Sequence, residues 1–183
     1  SNAIKSIITE KILKIEPVHI KNELNFESGY DLSEIDDFSV NRYLAARNLK
    51  INLDKMIDTR PISQLDHYIW WFKDNRRTSY VLRKNGKDLL YIWHQLKKVN
   101  NENVIVSGWF VANDCFSALD AMHAVTEHSI IIDKLFPGAC WIIVMRNDNH
   151  FMEKVHQRLN FRKADKGSGI EKVIQKSFPN ASS

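Results

Sequence analysis

The spacing of apolar side chains changes period along the chain, and each change marks an element. From 38 to 48, Val40, Tyr43, Leu44 and Arg47 fall on one side of a helix, with Asp36, Asp37 or Ser39 placed to cap it. After Pro61 a second helical run keeps Ile62, Leu65, Ile69 and Phe72 in phase, and Ser63 with Asp66 makes an S-x-x-D start signal. Segments 78–83 and 88–96 are rich in Tyr, Val, Leu, Ile and Trp, and Asn85-Gly86 between them is a hairpin turn pair. A turn over 100–103 leads to a third strand over 104–111, where Ser107-Gly108 suits a bulge. Helical spacing returns at Phe116, Leu119, Met122 and Val125, with Asn113 or Asp114 as cap and Pro137-Gly138 as stop. The apolar run 139–145 reads as a strand buried on both faces, Phe151, Met152, Val155 and Leu159 as one side of a helix, and 161–164 as a further strand.

This order predicts one mixed α/β (α+β) domain over 38–175. An irregular or short-stranded lead-in over 4–37 precedes it, and a polar tail over 176–183 follows, with Ile170, Val173 and Ile174 the apolar positions near the end. Ser1, Asn2 and Ala3 read as the remnant of a cleaved expression tag. Composition agrees: 183 residues, 44% hydrophobic, with 5 Trp, 5 Tyr and 9 Phe, can bury a core without disulfides. No apolar run approaches the roughly 18 residues of a membrane span, so a soluble, cytoplasmic protein is expected. Cys115 and Cys140 have no metal-ligand spacing; we expect no metal and two buried free thiols. The net charge of +4 comes from 26 basic and 22 acidic residues with no basic block. That weighs against nucleic acid and toward a phosphate-bearing small molecule. A homodimer is compatible with all of this.

Several side chains carry candidate chemistry. His94 alternates with Leu90 and Ile92 along a strand, and reads as a core residue or as a base. His156 reads as a surface residue or as an acid working near neutrality. Trp70, Trp71, Trp93 and Trp109 suit either core packing or a stacking wall for a sugar or nucleobase. Arg42, Arg47 and Arg60 offer forked donors to phosphate.

A three-strand meander followed by helix, buried strand, helix and strand resembles the GNAT acetyltransferase fold. The motif NHFMEKVHQRLNF supports the resemblance, because that family has an Asn after its fifth strand and a Gly-Phe pair twelve residues on, the separation of Asn149 and Phe161. The stretch ARNLKINLDKMIDTRPISQLDHYIWWF over 46–72 is similar to the opening of sugar-nucleotide N-acetyltransferases of the pseudaminic acid type. It has their Arg-Asn, Met, Ile-Ser and His-aromatic order at Arg47, Asn48, Met56, Ile62, Ser63, His67, Trp70 and Trp71.

The resemblance implies an N-acetyltransferase that moves an acetyl group from acetyl-CoA to an amine of a small molecule, with an amino-sugar nucleotide as favoured acceptor. It implies cofactor contacts at Phe110, Val111, Ala112, Ser117, Ala118 and Asn149, and substrate contacts at Arg47, Asn48, His67, Trp70 and Trp71. A backbone amide near Val111 would polarise the thioester, His94 or a water would take the amine proton, and His156 would protonate the thiolate. The strands from Val104 and from Ala139 would splay to admit the cofactor arm, with Ser107-Gly108 marking the distortion.

The chain departs from that pattern in the loop VANDCFSALDAM, which lacks the family's glycines. Glycine there lets backbone amides reach a pyrophosphate, whereas Asp114, Cys115 and Phe116 bring side chains and a negative charge. A second expectation follows: a catalytically silent GNAT-like domain that binds a nucleotide, a sugar or a protein.

Overall fold

The computed structural model describes residues 29–99, 102–164 and 171–177. The strands are β1 (Tyr30–Glu34), β2 (Thr78–Lys84), β3 (Lys87–Val99), β4 (Glu102–Val111), β5 (Cys140–Arg146), β6 (Arg162–Lys163) and β7 (Glu171–Ser177). The helices are α1 (Val40–Arg47), α2 (Lys50–Leu53), α3 (Gln64–Ile69), α4 (Ala118–Leu135) and α5 (His150–Arg158). One mixed sheet runs β1-β2-β3-β4-β5-β7-β6. Every neighbouring pair is antiparallel except β4 and β5, which α4 joins as a parallel crossover.

Local chemistry accounts for the expected elements. Asn85 and Gly86 both take positive φ, at 51° and 77°, and turn β2 into β3. Ser63 accepts from the Asp66 amide and starts α3 after Pro61, and the chain continues through a π-helical turn, Trp70–Asp74. Strand alternation divides the core between the two sheet faces. Leu90, Ile92 and Ile105 pack with Ala121, Val125 and Ile132 of α4 and with Val155 of α5. On the opposite face Val81, Tyr91 and Phe110 pack with Val40 and Tyr43 of α1 and with Trp71.

The end of the lead-in takes the short-stranded form of the two expected for it, since β1 pairs along its length with β2, Tyr30 opposite Lys84 through Glu34 opposite Tyr80. Other expectations are corrected. Val173 and Ile174 belong to β7, which inserts between β5 and the two-residue β6. Ser107 and Gly108 keep continuous register with His94 and Trp93, so no bulge lies there; the shift falls at Leu82/Arg83 on β2. Gly108 instead leaves room for Trp93, whose indole would lie 3.0 Å from any added Cβ. Ser117, not Asn113 or Asp114, caps α4. Cys115 is exposed and Cys140 half-buried, so neither thiol is fully buried. Residues 4–28, Ile170, the centre of the 100–103 turn and the tail from 178 lie outside the described residues. Among the described residues no helix is long and apolar enough to cross a membrane, and no cluster of His, Cys, Asp or Glu could hold a metal.

Candidate active site

A single backbone event creates the site. Parallel pairing of β4 with β5 runs from Val104–Cys140 to Ser107–Ile143 and stops there. The expected splay is therefore present, beginning at Ser107-Gly108. The Ala112 amide donates to Leu89 O at 2.8 Å, which sets the antiparallel alternation and turns the backbone polar groups of Trp109 and Val111 away from β3, toward β5. The open wedge continues into a cavity of about 600 Å³. One wall comes from α1, α2, the 54–62 segment and the end of α3, with Tyr43, Arg47, Lys55, Met56, Asp58, His67 and Trp70. Arg77 and Trp93 close it at the sheet. The other wall is the apolar side of the wedge, with Phe116, Val144, Met145, Phe151 and Met152.

The first wall holds buried polar atoms without partners: Tyr43 Oη, Arg47 Nη1 and His67 Nε2, to which the sheet adds Trp109 Nε1. Tyr43 is only 2% exposed; burial raises its hydroxyl pKa, against the nearby charges of Arg77 and Arg47. Its hydroxyl is near enough to Arg77 and Ser79 to feel them but forms no hydrogen bond with either. His67 is 1% exposed, and burial lowers its pKa, partly offset by the nearby Val40 carbonyl. The residue lines the cavity, and its Nε2 has no partner. Arg77 lies with its guanidinium carbon 3.7 Å from the Trp93 ring centroid and 5.2 Å from that of Trp70.

The outer end of β4 is closed by contrast. Asn52, 6% exposed, accepts from the Val111 amide at 3.0 Å, donates to the Val111 carbonyl at 2.8 Å and donates to Ala46 O at 2.7 Å. The Val111 amide is thus consumed, which leaves Trp109 as the other residue beyond the end of β4–β5 pairing whose backbone turns toward the wedge. At the start of α4, Ser117 Oγ accepts from the Asp120 amide, while Asp120 accepts from both the Ser117 amide and its hydroxyl at 2.7 Å. Tyr30 of β1 donates to the other Asp120 oxygen, and Lys84 donates to Tyr30 at 3.1 Å. Burial acts to raise the Asp120 pKa, but the Tyr30 and Ser117 hydrogen bonds and the Lys84 charge outweigh it, and the carboxyl stays below its ordinary value.

Of the residues expected at the site, Arg47, His67, Trp70, Phe110, Val111 and Asn149 line the cavity, and Ala112, Ser117 and Ala118 do not. Asn149 also caps α5, accepting from the Met152 amide at 3.2 Å. Asn48 clamps both backbone groups of Ile62 and so fixes the approach to α3. Trp71 is core, its indole donating to Asp37. His94 lies on the face opposite Trp93, buried, with Nδ1 2.9 Å from His128 Nε2, because strand parity turns it toward α4. His156 is fully buried rather than on the surface; its Nδ1 bonds Met152 O at 2.7 Å, its ring stacks toward Trp109, and its Nε2 has no partner. Neither His94 nor His156 lines the cavity. Sequence reasoning missed Asn52 and Arg77, which stand in ordinary polar runs with no spacing signal.

No protein-family model matches the chain, and no curated protein matches it in sequence. Similar solved structures include a domain from Methanocaldococcus jannaschii DSM 2661, at 17% identity and TM-score 0.71, over 81% of this chain and 98% of that one. An acetyltransferase of the GNAT family from Streptococcus pneumoniae is 9% identical at TM-score 0.64, over 81% and 99%. A ribosomal L7/L12 alpha-N-protein acetyltransferase in complex with coenzyme A is 10% identical at TM-score 0.64, over 82% and 95%. With its mixed seven-stranded sheet and flanking helices, the chain has the fold of the GNAT acetyltransferases.

Proposed function

We propose that the protein is an N-acetyltransferase acting on an amine of a small molecule, with the acceptor in the cavity and acetyl-CoA entering through the wedge. The observation that carries this reading is the end of β4–β5 pairing at Ser107 and Ile143, directly against the cavity. The residues fit the cofactor unevenly. The wedge offers an apolar slot and the Trp109 backbone to its thioester arm, and acetyl-CoA bound there supplies an activated acetyl group. The start of α4 does not fit its diphosphate, since the loop has no glycine, the Asp120 carboxylate takes the Ser117 amide at the N-cap, and a negative charge already stands in the first turn.

Within this reading the chain mainly positions its substrates and moves a proton. Nε2 of neutral His67, buried on the acceptor wall without a partner, receives the proton of the attacking amine. That replaces the role expected of His94, which faces α4. An amino-sugar nucleotide remains the favoured acceptor, supported by the order of Arg47, Met56, His67 and Trp70 around the cavity.

A second reading, a binding domain without catalysis, is favoured by the Asn52–Val111 clamp and the closed start of α4. Calorimetric titration with acetyl-CoA separates the two. Binding followed by thiol release with an amino-sugar panel supports the enzyme, and His67→Gln should then lower kcat at least tenfold with little change in cofactor affinity. Absence of binding at millimolar acetyl-CoA retires the enzyme in favour of the binding domain.

A further inference from the structure

We propose that the cavity contains a built subsite for an anionic oxyacid group, a phosphate or a carboxylate, formed by the guanidinium groups of Arg47 and Arg77 around the Tyr43 hydroxyl. The ligand's organic body fills the apolar remainder. This rests on the cavity being the acceptor site and names the chemical class of the acceptor.

Two guanidinium groups, those of Arg47 and Arg77, line the cavity without a counter-ion. Among the described residues neither Arg47 nor Arg77 forms a salt bridge with a carboxylate. Asp58 is the one carboxylate in the lining, and Arg60 takes both its oxygens, at 2.9 and 2.8 Å. Arg47 spends Nη2 on the Asp58 carbonyl at 3.2 Å, and its Nη1 is buried with no partner. Burial and the neighbouring Arg77 charge both work against the Arg47 cation, while Asp58 and Tyr43 favour it.

Arg77 is held differently, by its face. Stacking on Trp93 with Trp70 alongside uses the π surface of the guanidinium and leaves its in-plane N–H donors for a forked acceptor. Tyr43 contributes a third donor, almost fully buried and unpartnered. Buried donors such as Arg47 Nη1 and Tyr43 Oη are costly unless something binds them, and a ligand oxyanion supplies an acceptor for both and for the half-buried Arg77. The cavity, about 600 Å³ and lined otherwise by Met56, Ile57, Ile62 and Trp109, is far larger than an inorganic ion, so the anion belongs to an organic molecule.

Calorimetric titration of the unaltered protein with phenyl phosphate, phenylacetate and neutral 2-phenylethanol tests the subsite. At least one anion should bind about tenfold or more tightly than the alcohol, and the preferred anion tells phosphate from carboxylate. Arg47→Met and Arg77→Met should each remove most of that preference, and Arg77→Lys, which keeps charge but loses the fork and the stacking, should fall between. Equal affinity for alcohol and anions in the unaltered protein overturns the proposal, as does anion preference that survives both Met variants. Acetyl-CoA titrated against the same proteins keeps the two ideas apart. Anion binding without acetyl-CoA binding leaves the subsite standing and removes the enzyme; acetyl-CoA binding without anion preference does the reverse.

Discussion

Two regions of the molecule use similar polar groups and leave them in opposite states. On the α1–α3 wall Tyr43 Oη, Arg47 Nη1 and His67 Nε2 are buried and unpartnered. At the outer end of β4 and the start of α4, Val111 is clamped by Asn52, and Ser117 and Asp120 satisfy each other with help from Tyr30. An unpartnered buried polar atom costs about 1–3 kcal/mol, so a wall that keeps three of them is organised for something that binds. A terminus that satisfies itself has little left to offer a ligand. On the proposed reading the contrast favours recognition at the α1–α3 wall, while the Asn52 clamp and the Ser117–Asp120 box occupy polar groups at the outer end of β4 and the start of α4.

The largest expected effect concerns polar groups that neither end shares with solvent. Burial holds His94 and His156 near pKa 4, and His128, which also faces His94, well below 6.5. In the unfolded chain all three return to about 6.5. Their folded values are depressed, so the unfolded state takes up protons first as pH falls. Their contribution to stability is full above about 6.5 and is lost progressively toward pH 4. Between about 6.5 and 4 the loss approaches roughly 3 kcal/mol each for His94 and His156, and His128 adds to it in the same direction. Urea unfolding at intervals between pH 7.5 and 4 checks this, and a flat stability profile would show that these rings reach water.

A smaller loss tests the closed end directly. Asn52→Leu keeps the volume and removes hydrogen bonds to the Val111 amide, the Val111 carbonyl and the Ala46 carbonyl. The Val111 amide and carbonyl would be orphaned at a buried site, while the Ala46 carbonyl keeps the Leu49 amide, and unfolding free energy should fall by about 3 kcal/mol. A loss under about 1 kcal/mol would mean that water takes the place of the carboxamide and that the end of β4 is open after all.

What the chain reveals of itself before folding depends on how local the physics is. The Asn85-Gly86 hairpin, the Ser63 start of α3 and the apolar strand from Cys140 are short-range patterns, and each appears where expected, although that strand alternates buried and half-buried positions instead of being buried on both faces. β1 and β7 are short and polar in alternation, with partners roughly fifty and thirty residues away, so nothing nearby marks them as strands. The site divides in the same way. Arg47, His67 and Trp70 were legible as a sequence order, but Asn52 and Arg77 matter only because the folded chain brings them against Val111 and Trp93. His94 and His156 were singled out as residue types, and it is strand parity and helix phase that turn both into the core.

The smallest effect sharpens the comparison most, because stability and binding should move in opposite directions. Asp120→Ala removes the acceptor for the Ser117 amide and hydroxyl and for Tyr30, so α4 loses half of its capping box. The cost should be about 1 kcal/mol, since Ser117 still accepts from the amide of residue 120. The same change removes a negative charge from the first turn and frees the Ser117 amide beside a helix N-terminus, where an anion gains from the dipole. Affinity for acetyl-CoA should therefore rise severalfold over the unaltered protein as stability falls, read by calorimetry and thermal unfolding on the same sample. If affinity and stability fall together, Asp120 supports the ligand rather than excluding it, and the closed end would have to be regrouped with the open wall.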